Sequence, residues 1–207
     1  MSDSTRRAYW LKTLHRWHWI SSALCLIGMI IFAATGITLN HAASIESAPQ
    51  VQSLVAQLPD AMLDQVQSDG GASPRKAPLP ATLREWLKHE LSVDAGSRDA
   101  EWSEDEIYLS LPRPGGDAWL AVDLASGEVE YELTTRGWVS YLNDLHKGRN
   151  TGVVWRWFID IFAAACLVFS LTGLFLLKMH AGGRFATWPV VGLGVLIPAL
   201  LALLFIH

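Results

Sequence analysis

Five of the seven histidines in this 207-residue chain lie at the ends of long apolar runs. Neutral imidazole is a ligand for iron and other transition metals, and two imidazoles from separate helices can hold a flat haem between them. Histidines in such positions are also typical of amphipathic anchors whose ring tips stay in water. The residues alone therefore support either a metal or haem-iron site or simple interfacial anchoring. The five histidines are His15, His18, His41, His146 and His180.

Three apolar runs, at residues 17–41, 151–180 and 188–207, must position these histidines. At about 1.5 Å per residue, each run can cross a hydrocarbon core of about 30 Å. The chain is 51% hydrophobic and 17% charged, whereas soluble domains carry about 25% charged residues. The first run is longer than the roughly 7–15 residues of a signal-peptide core, so we interpret it as an uncleaved anchor. The sequence predicts a membrane α-helical fold with three transmembrane helices.

Basic residues cluster in segment 1–16 and around the connection 181–187 between the second and third runs. Positive charge beside spanning helices stays in the cytoplasm. We therefore predict that the amino terminus and this connection are cytoplasmic, and that the segment between the first two runs lies on the outer side. The basic residues are Arg6, Arg7, Lys12, Arg16, Lys178 and Arg184.

This orientation groups the histidines at two depths. His15, His18 and His180 share the cytoplasmic level, whereas His41 and His146 share the outer level. Each side then holds histidines from two different helices, which can face each other across a gap. The candidate axial ligands of a haem iron are His18, His41, His146 and His180, with His15 as the alternative to His18.

Two arginines near the second run are candidate contacts for a haem propionate. Arg149 lies close to His146 in the interfacial segment 138–150, and Arg156 lies inside the run. Arg156 and Asp160 are four residues apart and therefore share a helix face. An ionisable residue within a span is a functional candidate, but a local ion pair between these two is the other interpretation.

The segment 42–137 is polar enough to fold in water and predicts a small α+β module. Helical periodicity runs through 51–66 and 81–91, and the Gly-, Ser- and Pro-rich stretch 68–80 is typical of a flexible link. Three alternating runs predict a meander sheet, with Gly127 in its last turn. The alternating residues are Ile107, Leu109, Leu111, Leu120, Val122, Leu124, Val129, Tyr131 and Leu133.

Short motifs recur around the first two runs. Leu14-His15-Arg16-Trp17 and Leu145-His146-Lys147-Gly148 precede the runs, and Thr35-Gly36 and Thr172-Gly173 lie near their far ends. These stretches resemble the PepSY-associated transmembrane helix family, and residues 122–129 are similar to part of a PepSY domain. Characterised members include inner-membrane ferric-siderophore reductases with two b-type haems. The resemblance implies haem b held by the flanking histidines, in a bacterial inner membrane with a periplasmic PepSY-like module.

The resemblance further implies electron transfer to periplasmic ferric iron or a ferric siderophore. No G-x-G-x-x-G fingerprint occurs, so the electron donor would be a quinol or a separate membrane dehydrogenase. The chain is shorter than those reductases, which leaves one or two haems, in one chain or a homodimer, as alternatives. The non-enzymatic alternative is a membrane-anchored PepSY-type binding or regulatory protein, such as a metal-transport accessory. A net charge of −4 without a basic stripe excludes nucleic-acid binding.

Overall fold

The computed structural model describes residues 3–45, 48–70 and 75–206. Three of its helices are long and apolar enough to cross a membrane: α1 (Asp3–Asn40), α5 (Gly152–His180) and α6 (Thr187–Phe205). The three predicted membrane helices are therefore present. Helix α1 begins at Asp3, so most of the predicted amino-terminal flank is helical and continuous with the helix of the first span, since no proline or glycine interrupts it.

The chain divides into two compact units, residues 1–31 with 158–207 and residues 32–157. In the first unit, α1 and α5 run antiparallel. The Arg7 guanidinium donates a hydrogen bond to the carbonyl of Met179, 3.3 Å away, at one end of the pair. Further along, a Cβ at Gly28 would lie only 2.3 Å from Cε2 of Phe162. Small residues let membrane helices approach closely in this way.

The second unit contains a six-stranded antiparallel sheet in the order β1-β6-β5-β4-β3-β2. The first and last strands in sequence, β1 and β6, pair with each other. Strands β1 and β2 form the two edges of the sheet. The strands are β1 (Gln50–Gln57), β2 (Arg75–Pro78), β3 (Asp99–Trp102), β4 (Glu106–Ser110), β5 (Gly116–Asp123) and β6 (Glu128–Thr135). The helices of this unit are α2 (Asp60–Gly70), α3 (Ala81–Glu90) and α4 (Gly137–Lys147).

One face of the sheet forms the hydrophobic core of the module. Ile107 and Leu120 are fully buried on β4 and β5, and Leu83 and Leu87 of α3 are fully buried in the same cluster. Along β4 and β5, the apolar residues whose alternation predicted the strands are the buried ones, and the residues between them are exposed or half-buried. The α+β character of the module and the helix predicted at 81–91 are thus confirmed.

Two local predictions within the module were wrong. The helix expected over 51–66 is instead strand β1 followed by α2, because β1 pairs along its whole length with β6 and Pro59 cannot continue the ladder. Within the expected link 68–80, Arg75–Pro78 forms edge strand β2, and the indole of Trp102 donates a hydrogen bond of 2.9 Å to its Ala77 carbonyl. Residues 71–74 of that link lie outside the described residues.

The turn between β5 and β6 has the glycine conformation that its sequence predicts. Gly127 has a φ of +74°, which few other residues adopt readily. Oδ1 of Asp123 accepts hydrogen bonds from the amide and hydroxyl of Ser126, at 2.6 and 2.7 Å, and from the amide of Ala125 at 3.0 Å. These donors, the Ser126 amide first, hold the pKa of Asp123 below its ordinary value of 3.8.

We expect this turn to lose stability only in acid. A lowered carboxyl pKa stabilises the fold above the unfolded pKa, and the contribution is lost as the pH falls through the folded pKa. In the intact protein, the carboxyl carbon of Asp123 should titrate by NMR with a midpoint below 3.8. In Ser126→Ala the midpoint should rise but stay below that value, because the amide donors remain. An unchanged midpoint in that variant would contradict the assignment.

Candidate functional site

His18 of α1 is held against α5 by contacts with three residues. Its Nδ1 lies 3.1 Å from the Thr172 hydroxyl and 3.2 Å from the Phe169 carbonyl oxygen. The ring stacks on Phe169, with centroids 4.7 Å apart and planes 15° apart. A Cβ at Gly173 would come within 3.1 Å of the ring's Cε1, so the absence of a side chain there makes room for the imidazole. The ring is therefore fixed on its Nδ1 side.

His146 of α4 has a matching set of contacts with residues near the end of α1. Its Nδ1 lies 2.7 Å from the Thr35 hydroxyl. Its ring packs on Phe32, with centroids 4.8 Å apart. A Cβ at Gly36 would lie 3.6 Å from Cε1 of the imidazole, which is ordinary contact distance. This second ring is also fixed on its Nδ1 side.

Both histidines thus contact the same sequence pattern, F-x-x-T-G, on another helix. The pattern occupies residues 32–36 of α1 and 169–173 of α5. Residues three and four apart share a helix face, so the aromatic ring, hydroxyl and glycine form one receiving surface. The T-G pairs are visible in the sequence, but their histidine partners are 111 and 154 residues away along the chain and could not be assigned from spacing. The threonines belong to motifs that the sequence shows, but the contacts of the threonines and phenylalanines with the histidines were not predicted.

His15 and His180 lie beside each other at one end of α1 and α5. Their ring centroids are 5.7 Å apart and their planes are nearly perpendicular, at 87°. Each Nδ1 contacts the carbonyl one turn earlier in its own helix, Leu11 at 2.8 Å and Leu176 at 2.9 Å. The structure therefore brings together one pair of histidines that the sequence placed at a common level.

His41 is exposed beyond the end of α1. Its Nδ1 lies 3.0 Å from the Ile37 carbonyl oxygen. Among the described contacts, neither a hydrogen bond nor a ring contact joins His41 to His146. The structure thus places both in the second unit without bringing their rings together.

Helix α4, which carries His146, is docked by two buried polar side chains. Asn143 accepts a hydrogen bond of 2.9 Å from the Thr38 hydroxyl of α1. The Asp144 carboxylate accepts a hydrogen bond of 2.9 Å from the Gly115 amide in the β4–β5 turn. Its other oxygen lies 3.4 Å from Nε of Arg149. These contacts fix α4 and so the position of the His146 ring.

Two clefts with basic residues lie beside these elements. One, of about 520 Å³, lies between the ends of α1 and α5 and carries Arg6 and Arg7. The other, of about 530 Å³, lies beside α4 and carries Lys147 and Arg149. Both volumes fall within the roughly 300–1,000 Å³ of ordinary ligand sites. Apolar residues complete the first cleft, namely Trp10, Leu14, Phe175 and Met179.

The arginines predicted to contact propionates differ in their surroundings. The Arg149 side chain is 55% exposed despite its contact with Asp144, so part of its guanidinium faces solvent. Arg156 and Asp160 are both exposed on α5. Arg6 and Arg7 line an apolar cleft, although the sequence indicated them only as orientation signals. They are further candidates for contact with a propionate.

Comparison with family models identifies the family to which this chain belongs. The model of the PepSY_TM-like family matches residues 9–207, nearly the whole chain. The chain belongs to the PepSY_TM-like family. This confirms the family suggested by the L-H and T-G motifs. Comparison with curated proteins and with solved structures finds no significant match.

The histidines of this PepSY_TM-like protein come together in a pair rather than in a larger group of ligands. Within the described residues, no group of three or more His, Cys, Asp or Glu side chains converges on one point. A haem iron needs only two protein ligands, because the porphyrin supplies the others. His15 and His180, whose ring centroids are 5.7 Å apart, are the two histidines that would hold such a group at this end of α1 and α5.

Proposed function

We propose that this PepSY_TM-like membrane protein binds one or two b-type haems and passes electrons to ferric iron or a ferric siderophore. The observation that carries the proposal is shared by all five flanking histidines. Each uses Nδ1 for its contact with a carbonyl or hydroxyl, and in the described part of the chain no Nε2 makes a hydrogen bond. Haem-ligating and metal-ligating histidines are typically held by the second ring nitrogen in this way.

The residues around these imidazoles would supply binding and tuning. A bound haem would provide the one-electron chemistry. His15 or His18 with His180 would ligate on one side and His41 with His146 on the other, and Arg149 or Arg156 would neutralise propionates. Apolar helices would exclude water from the haem. This burial and the identity of the ligands together would set the redox potential.

The direction of electron flow follows from the charge of the flanks. Basic residues surround the amino-terminal part of α1 and the α5–α6 connection, which supports a cytoplasmic position for both. The sheet module would then be periplasmic, in a bacterial inner membrane. A quinol or a separate dehydrogenase would donate electrons, and a ferric chelate would accept them beside the module. A homodimer would add helices to enclose the porphyrins.

The decisive experiment is an absorbance spectrum of the full chain, purified in detergent from cells supplied with a haem precursor. We expect a Soret band, sharper α and β bands after dithionite, and a pyridine haemochrome spectrum of haem b with one or two haems per chain. Mixing the reduced protein with a ferric hydroxamate should restore the oxidised spectrum. A colourless protein that also fails to take up added haemin would overturn the proposal.

A second candidate function is a non-enzymatic, membrane-anchored binding or regulatory module. The observation that favours it is the sheet face opposite the core, where a stacked pair, Tyr108 and Trp119, lies among acidic side chains. A basic partner would complement this face. The acids are Asp99, Glu106, Asp123, Glu128, Glu130 and Glu132, together with Glu101 and Asp117, which form ion pairs with Lys76 and Arg136. Absence of haem together with salt-sensitive capture of a basic partner would select this function.

A further inference from the structure

The two threonines of the F-x-x-T-G segments each make two kinds of hydrogen bond. The Thr35 hydroxyl donates to the Phe32 carbonyl, 3.1 Å away in its own helix. The Thr172 hydroxyl likewise donates to the carbonyls of Val168 and Phe169, at 2.7 and 3.0 Å. In addition, each threonine oxygen contacts a histidine of another element. Thr35 Oγ1 is 2.7 Å from Nδ1 of His146, and Thr172 Oγ1 is 3.1 Å from Nδ1 of His18.

A hydroxyl has one proton and two lone pairs. With the threonine proton directed to a carbonyl of its own helix, the oxygen presents a lone pair to the imidazole. This arrangement favours the ring proton on Nδ1, which leaves the lone pair of a neutral imidazole on Nε2. The same conclusion holds for His18, since its Nδ1 faces both Oγ1 of Thr172 and the Phe169 carbonyl, and a carbonyl oxygen is an acceptor only.

We propose that Thr35 and Thr172 are positioning residues that fix the Nδ1-protonated tautomers of His146 and His18 and leave each Nε2 lone pair available to a haem iron. That the metal centre is a haem iron rests on the proposed function. The tautomers are inferred from the hydrogen bonds alone. Loss of an outer contact of this kind typically costs roughly 10–100-fold in metal affinity.

The two sites differ in one respect that sharpens the inference. His18 has the Phe169 carbonyl as a second acceptor at 3.2 Å, whereas the described contacts of His146 Nδ1 are with Thr35 alone. Replacement of Thr35 should therefore release His146 more completely than replacement of Thr172 releases His18. A role in helix packing alone would not predict this difference, because valine has nearly the shape of threonine.

The test is long-range ¹⁵N–¹H NMR of the haem-free full chain, labelled at histidine, at about pH 8. The wild type should show Nδ1-protonated His18 and His146. Thr35→Val should convert His146 to a mixture of tautomers and leave His18 unchanged, and Thr172→Val should have a smaller effect on His18. Thr35→Ser and Thr172→Ser should retain the wild-type tautomers.

Thr82→Val is the matched control, because Thr82 is exposed on α3 and the contacts described for His18 and His146 do not involve it. Equal tautomer changes in Thr35→Val and Thr82→Val, or none in either, would overturn the inference. Haem titration of the same proteins separates the two proposals. Threonine-dependent tautomers in a chain that never binds haem would support the positioning role and refute haem binding. Haem binding with threonine-independent tautomers would refute the positioning role alone.

Discussion

His146→Ala is expected to remove at least half of the Soret absorbance per polypeptide. The substitution deletes the only imidazole that the described part of α4 carries, together with its Nε2, while the Thr35 and Phe32 surface that received it stays in place. If the chain holds one haem at this site, the whole band should disappear; if it holds two, the haem held by His180 with His15 or His18 should remain. The measurement is haem per chain by pyridine haemochrome after purification in detergent.

His89→Ala is the matched control for that substitution. His89 is exposed near the end of α3 in the sheet module, and the contacts described for the other histidines do not involve it. The control protein should keep the wild-type haem content. Equal losses in both variants would mean that the decrease reflects expression or folding, and the ligand assignment for His146 would be wrong. His180→Ala should remove the complementary fraction of the band.

Gly28→Val is expected to separate α1 from α5. A Cβ at this position would lie 2.3 Å from Cε2 and 2.8 Å from Cζ of Phe162, well inside van der Waals contact, so the aromatic ring or the helix must move. Overpacking of this kind typically costs about 1–3 kcal/mol of unfolding free energy. The expected result is a lower midpoint of thermal unfolding, measured by circular dichroism in detergent.

Gly192→Val gives the control for the intrinsic effect of valine in a membrane helix. Gly192 lies in α6, and nothing lies within 4 Å of a Cβ built there. Its unfolding midpoint should stay close to that of the wild type. The double variant Gly28→Val with Phe162→Ala should recover part of the loss, because removing the ring relieves the contact. Equal effects of the two glycine substitutions would refute close packing at Gly28.

Periodicity was enough to predict the elements whose burial is regular. Three apolar runs gave the membrane helices, and alternation through Ile107 and Leu120 gave the central strands. Strand β1 was missed because it is an exposed edge strand, so its side chains show no alternation between core and solvent. Strand β2 was missed because a four-residue edge strand of Arg, Lys, Ala and Pro has the composition of a link.

The candidate site was predictable only in part, for a similar reason. Histidines at the ends of apolar runs are visible in any reading of the sequence. Which residue meets each ring depends on tertiary docking: His146 reaches Thr35 because Asn143 and Asp144 anchor α4 to α1 and to the β4–β5 turn. No local pattern encodes such a contact, since its two members belong to different elements far apart in the chain.

The pairing of β1 with β6 has a consequence for biosynthesis. Strand β1 leaves the ribosome early, whereas its hydrogen-bonding neighbour is made only after every other strand of the sheet. Until then β1 lacks the strand that pairs with it in the described sheet. Nascent polypeptides in this state are prone to associate with one another. Truncation anywhere before Thr135 should therefore yield an insoluble or rapidly degraded product rather than a smaller folded module.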